Sequence, residues 1–161
     1  MVSKTNEQAL ESAIEFALCN TTSEKIMERG QTVHEAMKQY HTPKYYFVGD
    51  PNDFNAKYAI DEFYFWCFLE TTQKEELEKI QRHSDWKLKI LDRLDRLIKK
   101  YGVLRLLKKG LEVEDAHFTL FYSLPLASSS QSVKEKFKSN QFSVTRQVRY
   151  NLENTREEID M

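Results

Sequence analysis

The chain has 161 residues, enough for one domain with a real core, and its 40% hydrophobic and 12% aromatic content is that of a globular protein. A formal net charge of −1 gives no overall attraction to nucleic acid, and two distant cysteines, Cys19 and Cys67, argue against a disulfide framework or a zinc site. There is no N-terminal signal core, and no apolar run approaches the roughly 20 residues that cross a bilayer, so a cytoplasmic protein with no membrane partner is expected.

Leu10, Ala13, Ile14, Ala17 and Leu18 recur at helical spacing and predict an amphipathic first helix with this stripe inward. Glu11 and Glu15 lie beside the stripe and read as its solvated flank. Asn20-Thr-Thr-Ser23 breaks that helix, and a second helical stretch runs over about 24–39 with an interruption near Gly30. Residues 44–48 read as extended, and Gly49 to Asp53 as a turn. Phe54 to Leu69 is apolar on nearly every side and predicts a central buried helix containing Asp61 and Glu62. Thr71 or Thr72 is the expected cap of the next helix, and Ser84 the start of another.

In that later helix Leu88, Leu91, Leu94, Leu97 and Ile98 form the inward stripe. From Lys87 to Lys109 there are nine Lys or Arg against two Asp. Gly102 and Gly110 bracket a short helix over 103–109. The period then changes to two: Phe118, Leu120, Tyr122 and Leu124 alternate along a strand that Pro125 ends. Ser128–Ser130 precede a short basic helix carrying Lys134, Lys136 and Lys138. Phe142 to Tyr150 reads as a last strand, with Arg146 where the alternation wants an apolar residue. A structural ion pair and a phosphate or active-site contact both account for that arginine. The order of elements predicts an α+β protein, mostly helical in its first two-thirds, with a small sheet built late.

Glycine-rich phosphate loops, G-x-S-x-G and H-E-x-x-H are all absent. What remains is carboxylates and a basic C-terminal segment. Five stretches, taken in order, resemble the N-terminal region of the restriction (R) subunit of type I restriction-modification enzymes. The opening Leu10-Glu11-x-x-Ile14 is similar to that family's first helix. Asp50-Pro-Asn-Asp-Phe-Asn55 with Ala59-Ile-Asp61, and Phe68-Leu-Glu-Thr-Thr-Gln73, resemble its "DYD…ALD" and "FL-x-x-TQ" segments. Tyr101 to Gly110, followed by Phe121-Tyr-Ser-Leu-Pro125, is similar to the stretch before its Tyr-x-x-Pro strand. Phe137, Asn140 and Phe142 to Tyr150 resemble "Y-x-x-N-x-F-x-V-x-RQ-x-x-Y".

The resemblance implies a fold and a chemistry. The fold is an incomplete restriction-endonuclease-like α/β core within one domain: an opening helix (1–18), a helical insertion (19–110) and a partial nuclease sheet (111–161). Asp160 falls on the first acid of a PD-(D/E)xK site, a metal ligand, and Glu11 on an acid of the opening helix near it. Arg146, Gln147, Arg149 and Lys134 are the candidate DNA contacts, with a solvated basic face as the alternative. The parent enzyme cuts DNA with Mg²⁺ after ATP-driven translocation and assembles with modification and specificity subunits. The second acid and lysine of that site, and the ATP motor, are not in this sequence. The chain alone is therefore expected to be inert, with an exposed strand edge open to self-association. The alternatives are a helical protein-interaction module over 54–110 and a DNA-binding fragment.

Overall fold

The computed structural model describes residues 4–38 and 45–148. They form a mixed helix-and-strand chain with three small two-stranded sheets. Arg149 and Asp160 lie outside the described residues, as does the end of the expected last strand. The chain separates into two compact units: one takes in the chain up to Tyr64 and from Gln141 onward, the other Phe65–Asn140.

The first unit begins with helix α1 (Lys4–Cys19), followed by short helices α2 (Ser23–Glu28) and α3 (Val33–Lys38). Strand β1 (Tyr46–Val48) then pairs in parallel with β6 (Phe142–Val144), Phe47 opposite Ser143, so the sheet joins early and late chain. α1 lies against both strands. Its orientation reverses the expected one. Leu10 is 58% exposed and Ile14, Phe16 and Leu18 are also exposed, whereas Glu11 and Glu15 are buried together with Cys19. Cys19, Ile26, Ala36 and Val48 form a small apolar core, onto which Val33 and Val144 pack.

The stretch expected as one long helix from Phe54 is a hairpin first. β2 (Phe54–Asn55) and β3 (Ile60–Asp61) pair antiparallel around a turn in which Ala59 takes a left-handed φ of 54°. Helix α4 (Glu62–Thr72) starts only after it, with the Tyr64 N–H donating to Asp61 Oδ1 at 3.1 Å. Thr71 and Thr72 lie inside α4 and donate their hydroxyls back to Cys67 and Phe68 carbonyls rather than capping the next helix.

The second unit holds the rest of α4 with α5 (Lys74–Ile80), α6 (Trp86–Tyr101), α7 (Val103–Lys109), hairpin β4 (Leu111–Val113)/β5 (Ala116–Phe118) and α8 (Gln131–Lys138). Leu69, Leu77, Ile80, Ile90, Leu111 and Phe118 are fully buried here. α6 begins at Trp86, two residues after Ser84, and leaves Leu88 half exposed. Gly102 and Gly110 both have φ of 80° with extended ψ, a region open to glycine, and so set the ends of α7 as expected. At Gly110 a Cβ would also come within 2.6 Å of the Phe118 carbonyl oxygen.

Only the first residues of the strand expected over 117–124 are a strand. Beyond Phe118 the backbone is held by two side-chain amides standing in for a neighbouring strand. Gln73 accepts from the Thr119 N–H at 2.6 Å and donates to the Thr119 carbonyl at 2.8 Å. Buried Asn140 does the same for Tyr122, at 2.9 and 2.8 Å.

Candidate functional site

Arg146 is the residue around which the first unit's polar interior is built. β6 ends at Val144, so Arg146 is not within the strand, yet it keeps the side of Val144, facing α1 and α2. Its Nε donates to Glu11 Oε2 at 3.1 Å. Nη1 reaches Ser12 Oγ at 3.1 Å, Glu15 Oε2 at 3.3 Å and Glu24 Oε1 at 2.7 Å. Glu15 also accepts from the Ser23 N–H and hydroxyl, at 3.0 and 3.1 Å, so it ties the end of α1 to the start of α2. One guanidinium thus serves three carboxylates, two of them buried.

The electrostatics follow from the burial. For Arg146 desolvation works against the charge, but the bonds to Glu24 and Glu11 outweigh it and hold the guanidinium above its ordinary range. For Glu24 burial pushes the carboxyl up; its own backbone N–H and Arg146 more than offset that and hold it below the usual carboxylate value. Glu11 and Glu15 are therefore not the solvated flank that the apolar stripe implied. A buried acid is retained only with a partner, and the partner here is 135 residues away in sequence.

The opposite side of β6, continued by Thr145 just after it, carries a second group. Ser143 and Thr145 face Asp61 across Gly49, where a Cβ would overlap Thr145 Oγ1. Asp61 is pushed above its ordinary value by burial, against the Tyr64 N–H and the Ser143 hydroxyl; Asp53 adds to the rise and His34 opposes it. His34 Nε2 meets Asp53 Oδ2 at 2.5 Å, and its ring stacks on Phe63 with centroids 3.9 Å apart. Sequence reasoning missed this group. His34 stands alone in its helix, and its partner Asp53 is 19 residues away in sequence.

Compared with family models, with curated proteins and with solved structures, the chain finds no match in any of the three. The site therefore rests on its own geometry. Among the described residues no group of three His, Cys, Asp or Glu is arranged to hold a metal ion. Glu11, Glu15 and Glu24 are occupied by Arg146. Of the candidate DNA contacts, Gln147 is exposed at a left-handed φ of 53°, and Lys134 Nζ donates to the Ala127 carbonyl at 3.0 Å.

Asp61 offers a direct check on these electrostatics. Its folded value lies above the ordinary 3.8, so its stabilising contribution is complete below that pH and is lost as pH rises through the folded value. Asp61→Asn keeps an acceptor for Tyr64 and removes the charge. We expect its melting temperature at pH 7 to exceed the parent's, and the difference to vanish near pH 3.5. An equal or lower melting temperature at pH 7 would mean that the ionised carboxylate is fully compensated.

Proposed function

We propose that this chain is the N-terminal portion of a type I restriction R subunit, the nuclease region of an enzyme that cuts DNA with Mg²⁺ after ATP-dependent translocation. The observation that carries the reading is the meeting of Arg146 with Glu11. The first comes from the "RQ" signature and the second from the opening helix, and they join in one buried cluster. Gln73 and Asp61, each from another of the resembling stretches, and Asn140, from the same stretch as Arg146, also hold buried or half-buried polar contacts that shape the backbone. On this reading the cluster fixes α1 against the strand pair, and Asp160 is the first metal ligand. Modification and specificity subunits are the parent's partners.

The described residues do not by themselves fit a Mg²⁺ ion, because the buried acids are matched to Arg146. A two-acid-plus-lysine site needs carboxylates free to bind metal. The purified chain with Mg²⁺ or Mn²⁺ and supercoiled plasmid is therefore expected to give no nicking above buffer. Nicking that Asp160→Ala abolishes would overturn that expectation. The family reading itself is tested by the coding sequence that follows. It should continue, directly or through one frameshift, into an E-x-K and then a Walker motif; neither being present would sink it.

The exposed stripe of Leu10, Ile14 and Leu18 on α1, outside the 54–110 segment expected to carry it, favours a second reading, a protein-interaction module. The same coding sequence separates the two.

A further inference from the structure

We propose that the corner formed by the end of α6 and all of α7 is a docking surface for the phosphate backbone of duplex DNA. The proposal is carried by the placement of charge in the second unit and stands whether or not the R-subunit reading does. Between Arg96 and Leu111 the chain has six Lys or Arg and no Asp or Glu, against a net charge of −1 for the whole. Lys99 is paired with Asp95 at 2.8 Å. Arg96, Lys100, Arg105, Lys108 and Lys109 have no carboxylate partner among the described residues. Two other basic side chains of the same unit, Arg82 and Lys89, both lie on the Glu114 carboxylate.

Four of the five cations lie at the end of α6 and along α7, and Arg96 lines a groove with Asp92, Glu112 and Glu114. Arg96 and Lys100 are one turn apart on α6, and Arg105 and Lys109 one turn apart on α7, about 6 Å between neighbours. Tyr101 joins the two pairs. The Lys100 ammonium lies 5.0 Å, and the Arg105 guanidinium 4.3 Å, from its ring centre. Buried Leu106 anchors α7 beneath them. A single small anion would need convergent donors; a row of separate cations fits a linear polyanion.

Leu104, 74% exposed, and Val103 lie among these cations and raise the alternative of an anionic membrane. An interfacial helix needs an extended apolar face. α7 has seven residues and turns Leu106 inward, which leaves too little of one. Duplex DNA asks only for the cations.

The test is the salt dependence of binding to a short mixed-sequence duplex, read by fluorescence anisotropy. Five phosphate contacts predict a fall in the binding constant of about 500-fold between 50 and 200 mM salt. Lys100→Gln/Arg105→Gln/Lys109→Gln should reduce that fall to about 12-fold, because two contacts remain. Lys136→Gln/Lys138→Gln on α8 should leave the salt dependence unchanged. All of these side chains are exposed, and circular dichroism verifies that each variant folds. No binding at 50 mM salt overturns the proposal, as does an unchanged salt dependence in the triple variant or a loss confined to the α8 variant. So does binding to phosphatidylserine vesicles, but not to the duplex, that Leu104→Ser removes.

Discussion

Arg146→Met is expected to destabilise the first unit by about 3–5 kcal/mol, the range for removing one partner from a buried charge pair. Arg146 is 12% exposed at its side chain, and the carboxylates of Glu11 and Glu15 are less exposed still. Without the guanidinium Glu15 keeps the Ser23 hydroxyl and backbone N–H as donors, and Glu11 loses its Arg146 donor. Combining Arg146→Met with Glu11→Gln and Glu15→Gln removes the stranded charges and should recover most of the loss. Arg146→Lys should fall between, since an ammonium lacks the fork that reaches three acids at once. Acid acts on the same cluster. Glu24 is held below its usual value, so its contribution is present above pH 4.5 and is lost as pH falls through the folded value. Urea unfolding of the four proteins at pH 7 and pH 4 checks all of this. An Arg146→Met protein as stable as the parent would show that the cluster contributes nothing to folding.

Phe118→Ala is expected to cost the second unit about 3–5 kcal/mol. The ring is fully buried on β5, opposite Leu111 of β4, and its removal leaves a cavity that the hairpin cannot close. The residue after it, Thr119, is the one that Gln73 clasps from both sides, so the backbone has little freedom to collapse inward. Urea unfolding followed by tryptophan fluorescence reports the change, because Trp66 and Trp86 stack edge-to-face within this unit. A loss below about 1 kcal/mol, the range of an ordinary surface substitution, would contradict the packing described.

Local chemistry was legible in the sequence, and long-range pairing was not. Gly102 and Gly110 announced α7 because few other residues tolerate their backbone angles. Ser130 announced α8 through its cap on Val133. The hairpin 54–61 was hidden because its turn residue is Ala59, not glycine, and because an all-round apolar run carries no mark of where a helix begins. The strand 117–124 was half right: period two identified the hairpin strand, but the partners of its continuation are the amides of Gln73 and Asn140. Arg146 stood out as an anomaly of alternation. Its partners could not be read, because Glu11, Glu15 and Glu24 are each more than 120 residues from it. The same separation misled the reading of α1. An apolar stripe normally marks the inward face, but here the inward face is the acidic one, and the cation that makes this tolerable lies near the other end of the chain.

That separation also has a cost in time. During synthesis Glu11 is made 135 residues before Arg146. At about 5–20 residues per second, the interval is roughly 7–27 s. Throughout it α1 has no counter-ion for the face it will bury, while its other face already presents leucine and isoleucine. α1 thus leaves the ribosome well before the residue that holds it, and it waits with its apolar side outward.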